Sequence, residues 1–337
     1  MDPIALWLPI VWAAILGIAV ALYVILDGFD LGIAILFPVE PNETRRDQMM
    51  SSVAPFWDGN ETWLVLGGGG LFVAFPLAYA VIMPALYLPI IIMLLGLVFR
   101  GVAFEFRWAA KPKHKLWDIA FAAGSMVAAF MQGVVLGGLL QGIKVENGVF
   151  AGGPLDWFAP FPFVTGLALL SGYALLGSTW LIMKTEGPLV DEARRWAKWL
   201  LPMTLMLLAI VSIWTPLAFD RIAERWFSWP NIAFLAPIPI LTAVVALFCW
   251  YGLVKEHVAT PFLSAIGLFL LGFIGLLISN VPYLVPPSIT VWDAAAVPES
   301  QIFTLIGVLI MLPLILGYTA FVYWTFRGKV REGEGYH

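Results

Sequence analysis

The sequence predicts an all-α integral membrane protein, and three of its properties lead there. Its residues are 61% hydrophobic and 12% charged, with a mean hydropathy of +0.91. Soluble domains carry about 25% charged and about 45–50% apolar residues. Apolar runs of about 20 residues recur along the chain, each long enough to cross a hydrocarbon core as a helix. Those runs are uninterrupted, which excludes a barrel and leaves helices as the way to satisfy every backbone polar group in lipid. A net charge of -4 gives no reason to expect nucleic acid as a partner. With Cys249 as the single cysteine, disulfides within the chain and cysteine metal clusters are excluded.

Taken in order, nine spans are expected at roughly 5–27, 57–75, 77–99, 117–140, 161–183, 199–219, 232–254, 260–285 and 301–326. No soluble domain separates them, so residues 1–337 read as one polytopic membrane domain. Met1-Asp2-Pro3 lacks the basic flank of a secretory signal, so the first run is expected to stay as a helix. Its apolar stretch continues past Asp27 to Phe37, which leaves the depth of Asp27 open. Basic residues mark the cytoplasmic side. With the N-terminus outside, fifteen of the 18 Lys and Arg, Lys111 and Lys113 among them, fall inside, and only Lys144, Arg221 and Arg225 fall outside. Trp7, Trp157, Trp226, Trp229 and Trp324 read as an interfacial belt, and Gly67–Gly70 with Gly137-Gly138 as sites of close helix packing. No repeat of 20–50 residues is visible.

Charged groups within spans are costly, about 2.5–3.5 kcal/mol each at a helix centre on insertion scales. Three clusters of them stand out. Asp27 and Asp30 are three residues apart and share a helical face, and two carboxylates that close in a dry site do not both ionise easily. Trp57-Asp58-Gly59-Asn60-Glu61-Thr62-Trp63 opens the second span, and Arg100, Glu105 and Arg107 close the third. All three clusters gather at the cytoplasmic face of the expected topology. Asp27, Asp30, Asp58, Glu61 and Glu105, with Arg100 as counter-charge, could form a hydrated proton track. An ion-paired plug locking the first three helices, or carboxylates solvated at helix ends, remain alternatives. On the other face Asn280-Val281-Pro282-Tyr283 breaks the eighth span, and Asp293 is expected to cap a short outer helix. Gln132, Gln141 and Ser178 read as interhelical hydrogen-bond partners. His114, His257 and His337 all lie outside the spans, so no intramembrane histidine is placed to ligate haem, and no pair of histidines has metal-binding spacing.

Five stretches carry a resemblance: Tyr23–Gly32, Ala54–Asn60 with Trp63, Phe99–Glu105, Gly138–Gly142 and Thr290–Ala294. In them the chain resembles subunit II of the cytochrome bd family of bacterial quinol oxidases, its cyanide-insensitive branch included. At position 105 the family commonly has Asp where this chain has Glu. The resemblance implies two four-helix bundles plus one additional helix in the bacterial cytoplasmic membrane, and the basic-residue asymmetry puts the N-terminus outside and the C-terminus on the cytoplasmic side. It implies a haem-bearing subunit I with two b-type haems and one d-type haem, a very small single-helix subunit, quinol as substrate, and a quinone or lipid as a structural element. It also implies proton delivery through Asp58, with Asp27, Asp30, Arg100 and Glu105 carried over as route candidates. A proton-coupled secondary transporter and a purely structural assembly subunit are the competing functions.

Overall fold

The computed structural model describes residues 3–110 and 114–333. The N-terminal Met1-Asp2, the basic pair Lys111 and Lys113, and His337 lie outside the described residues. The chain forms α1 (Pro3–Leu36), α2 (Glu43–Ser51), α3 (Trp57–Ala74), α4 (Pro76–Ala85), α5 (Tyr87–Ala109), α6 (Lys115–Gln141) and α7 (Pro160–Lys184), then α8 (Pro188–Ala218), α9 (Asp220–Phe227), α10 (Asn231–Leu235), α11 (Pro237–Val254), α12 (Thr260–Asn280) and α13 (Pro298–Thr325). Proline opens α4, α7, α8, α11 and α13, where its missing N–H would have had no helical partner and its fixed φ starts the turn. Two short antiparallel hairpins join helices at one end: β1 (Val145–Glu146) with β2 (Val149–Phe150), and β3 (Tyr283–Val285) with β4 (Ile289–Thr290).

Eight of the helices are long and apolar enough to cross a membrane, and α4 is a short apolar one. α3 has the length but opens on polar residues and carries four glycines, which lowers its hydropathy. Its path still links opposite ends of the molecule. At one end Arg107, late in α5, pairs with Asp47 of α2. At the other, the carbonyl of Ala74, last in α3, accepts from the Ala296 N–H and the Gln301 side chain. Among the described residues α3 would make a ninth crossing beside those eight, in line with the nine expected. The third differs in register: the crossing helix is α5, Tyr87–Ala109, because Pro76–Ala85 forms a separate turn-back helix after the break at Phe75. The first helix runs on to Leu36, so Asp27 lies about 14 Å along it from its end. The eighth ends at Asn280, and the residues beyond it enter the β3–β4 hairpin.

Helices α1, α3, α5 and α6 pack as one bundle and α7, α8, α11 and α12 as a second, with α13 lying against α1 and α3. The bundles meet where α1 crosses α7. There Gly32 and Gly177 let the backbones touch: a Cβ on Gly32 would fall 1.8 Å from the Tyr173 carbonyl oxygen, and one on Gly177 would fall 2.4 Å from the Gly32 carbonyl carbon. This is small-residue packing of the kind membrane helices use in place of hydrophobic drive. Gly137 and Gly138 serve the same purpose against α7 and Leu86. In the glycine run of α3, Gly67 and Gly70 face Val20 and Leu16 of α1, whereas a Cβ on Gly68 or Gly69 would meet no other helix within 4 Å among the described residues. Trp7, Trp229 and Trp324 are exposed. Trp157 is instead buried and donates to Pro154 O, and Trp226 donates to Ser279 Oγ.

The final helix is tied at both ends. Trp12 donates to the Gln301 carbonyl at one end, and at the other the buried Lys184 ammonium donates to the Phe326 carbonyl while Val330 pairs with the α7–α8 turn. Lys184→Met keeps the side-chain length and removes the donor. It is expected to free residues 327–333 for limited proteolysis several-fold faster than in the parent. An unchanged cleavage rate would show that the β-bridge, the Gln48 bond to the Val330 carbonyl and the Arg331–Glu186 pair hold the tail without Lys184.

Candidate functional site: a buried carboxylate cluster at the junction of four helices

Tyr23, Asp27 and Asp30 lie one helical turn apart in succession along α1 and so line one face of it. α3 brings Asn60 and Glu61 to that face, and α5 brings Arg100. Asp27, Asp30, Asn60 and Arg100 are all buried, and the Glu61 side chain is 27% exposed. Arg100 forks between two acids: Nη1 donates to Asp27 Oδ1 at 2.6 Å and Nη2 donates to Glu61 Oε1 at 2.6 Å. The Asn60 amide donates to Asp30 Oδ2 at 2.7 Å and to the Leu26 carbonyl at 3.2 Å, and it accepts from the Tyr323 hydroxyl of α13 at 3.0 Å. Taking an ion out of water costs several kcal/mol, offset only when its partners are close and well aligned. The forked guanidinium provides that for Asp27 and Glu61. Asp27 Oδ2 and Asp30 Oδ1 are buried with no hydrogen-bonding protein atom.

The six residues singled out from the sequence divide in two. Asp27, Asp30, Glu61 and Arg100 come together in this cluster. Asp58 and Glu105 are exposed on the surface of this chain. They immediately follow Trp57 and Phe104, whose rings stack at 5.0 Å with an interplanar angle of 8°. Glu61, three residues after Asp58, reaches from the buried cluster towards this α3–α5 surface.

A second charged group closes the same end of the molecule. Arg107, fully buried, donates to Asp118 Oδ1 and Asp47 Oδ1, both at 2.6 Å. Arg46 lies 3.3 Å from Asp118, and the His114 ring 3.3 Å from Glu43. Between Arg100 and Arg107 runs a train of rings: Trp57 on Phe104, Phe104 edge-on to Phe121, Phe121 edge-on to Phe37, and Arg107 over Phe37 at 5.2 Å. Sequence reading placed Arg107 with Arg100 and Glu105 and did not foresee Asp47, Asp118 or His114. Asp118 was signalled only by its place in the first turn of α6. Tyr23, Tyr173 and Tyr323 were also missed as parts of the first site, Tyr23 alone leaving a trace four residues before Asp27. Gln132, read as an interhelical hydrogen-bond partner, is one: it bonds Tyr23 of α1 and Tyr173 of α7.

Among the described residues no group of three or more His, Cys, Asp or Glu is arranged to hold a metal. His257 is exposed and bonded to Thr260. At the opposite end Asp293 caps a turn rather than the helix expected for it: its Oδ2 accepts from the Thr290 hydroxyl at 2.6 Å and from the Thr290 N–H. Those two donors hold its carboxyl below the usual range.

The family model for cytochrome bd terminal oxidase subunit II matches residues 8–326. The chain is 28% identical to cytochrome bd-I ubiquinol oxidase subunit 2 of Escherichia coli K12, covering 96% of this chain and 95% of that protein. It is 27% identical to cytochrome bd ubiquinol oxidase subunit 2 of Bacillus subtilis, covering 96% and 97%. Its fold is similar to a chain of the bd oxidase from Geobacillus thermodenitrificans, with TM-score 0.73 at 15% identity over 95% of this chain and 98% of that one. The chain belongs to the cytochrome bd terminal oxidase subunit II family, and is an integral inner-membrane subunit of an oxidoreductase complex.

Proposed function

We propose that this subunit supports a haem-bearing subunit I in a quinol:oxygen oxidoreductase and passes it protons from the cytoplasm. The observation that carries the reading is the carboxylate cluster, in which two carboxyl groups share one guanidinium and a third, Asp30, is held beside them by the Asn60 amide. That imbalance leaves an acid able to take and release a proton. In this reading the N-terminus is outside and the end bearing Arg107 is cytoplasmic, following the excess of basic residues at that end. In this reading the two b-type haems and the d-type haem sit in subunit I, where they carry electrons from quinol to oxygen; His114 and His257, outside the helices of this chain, support that placement. A very small single-helix subunit and bound lipid or quinone complete the assembly.

Asp58 and Glu105 have the geometry of the exit. They project from α3 and α5, on a face that also presents Val65, Gly69 and Phe72. Carboxylates facing hydrocarbon are unfavourable, and Gly69, where an added Cβ would meet no other described helix, offers a close approach to a partner helix. Subunit I covering this face would bury both carboxylates and receive protons from Glu61 and the cluster behind it. Asp58→Asn in the assembled oxidase is expected to slow proton uptake coupled to oxygen reduction by about tenfold or more, with haem content retained. Unchanged turnover and unchanged charge separation in a fully haem-loaded variant would refute a conducting role, and loss of assembly and haem would assign Asp58 to structure.

A further inference from the structure

Two acceptors on one face of α1 meet a single amide of α3. The Leu26 carbonyl and the Asp30 carboxyl belong to residues one helical turn apart, and the two N–H groups of the Asn60 amide complement that pair. Asn60 Nδ2 donates to Asp30 Oδ2 at 2.7 Å and to the Leu26 carbonyl at 3.2 Å. At its other end Asn60 Oδ1 accepts from the Tyr323 hydroxyl of α13 at 3.0 Å. Turning the amide end for end would set Oδ1 against two oxygens, and the Leu26 carbonyl can only accept. The direction of the amide is therefore fixed, and with it the group presented to Asp30. Arg100 bonds Asp27 and Glu61, whereas the donor to Asp30 is this uncharged amide. Asp30 Oδ1 is buried with no hydrogen-bonding protein atom. A carboxyl oxygen that takes a proton becomes the poorer acceptor, so the oxygen held by an N–H stays the carbonyl and the other takes the proton. We propose that Asn60 is a positioning residue: held by Tyr323 and the Leu26 carbonyl, it keeps Asp30 Oδ2 as a hydrogen-bonded carbonyl oxygen and makes Oδ1 the atom at which Asp30 takes up and releases a proton.

The proton exchange rests on the proton-delivery reading, but the orientation of Asp30 can be measured without turnover. In the assembled oxidase brought to acid pH, with aspartate isotopically labelled, the Asp30 carbonyl stretch is the infrared band that Asp30→Asn removes. A hydrogen bond to a carbonyl oxygen lowers its stretching frequency, so Asn60→Leu is expected to move that band to higher wavenumber. Tyr323→Phe is expected to move it less in the same direction, because an amide whose oxygen loses its donor makes a weaker N–H bond at its other end. Tyr323→Phe deletes one oxygen and keeps the ring stacked on Phe56 at 4.4 Å, so it serves if Asn60→Leu does not assemble. A merely structural Asn60 would lower haem content without moving the band of the oxidase that does assemble. An unmoved band in Asn60→Leu, or in Tyr323→Phe when that is the variant that assembles, overturns the proposal. Proton uptake slowed in Asp30→Asn with these bands unmoved removes the orientation by Asn60 alone. Uptake unchanged in Asp30→Asn with the bands shifted removes proton delivery by Asp30 and leaves its orientation by Asn60 standing.

Discussion

Arg100→Leu is expected to strip the membrane of assembled oxidase. The guanidinium is the one cation hydrogen-bonded to Asp27 and Glu61 among the described residues, and it is fully buried. Removing one member of a buried ion pair leaves the other charged and unpaired, which typically costs about 3–5 kcal/mol. That is a large part of the 5–15 kcal/mol by which a domain is ordinarily stable. Arg100→Lys is expected to retain part of the loss, because a single ammonium is a point charge without the planar fork that meets both Asp27 and Glu61. The check is haem absorbance per subunit in solubilised membranes, together with thermal stability of whatever assembles. If Arg100→Leu accumulates with normal haem content and stability, the cluster does not hold the first bundle together, and its charges are compensated elsewhere.

Gly32→Val is expected to be comparably severe through sterics alone. No side-chain rotation relieves a Cβ 1.8 Å from the Tyr173 carbonyl oxygen, since the obstacle is backbone. The two bundles would have to separate along the α1–α7 crossing, which also carries Phe29 stacked on Trp180 at 4.1 Å. Overpacking ordinarily costs about 1–3 kcal/mol, and a helix crossing that cannot shift locally is expected at or above that range. Gly17→Val on the same helix meets nothing within 4 Å and is the control. The measurement is the yield and thermal stability of the assembled oxidase carrying each variant. Equal stability of the two would show that α1 and α7 can slide apart without loss.

The membrane class and three acids of the buried cluster, Asp27, Asp30 and Glu61, were readable from the order of residues, because hydrocarbon imposes a one-dimensional rule. Length and apolarity decide what crosses, and an ionisable group inside a crossing is conspicuous. The i, i+3 spacing of Asp27 and Asp30 put them on one face without any coordinates. The third crossing was misplaced by ten residues because Pro76–Ala85 is as apolar as a span, and only the break at Phe75 and the return at Leu86 separate it from α5.

Composition and spacing could not say which acids share a guanidinium. Arg100 is 73 residues from Asp27 and 39 from Glu61, and it might equally have paired with Glu105 on its own helix. Packing chose otherwise: the face of α5 bearing Arg100 turns inward while Glu105 turns out. The partners of Gln132, and the places of Tyr173 and Tyr323, lay beyond reach for the same reason, since a hydrogen bond between helices depends on their rotation and close approach, which Gly32 and Gly177 set at the α1–α7 crossing. Burial in lipid is a local property of a segment and can be read along it. Pairing within the bundle is a property of how segments turn towards one another, and it exists only once they have packed.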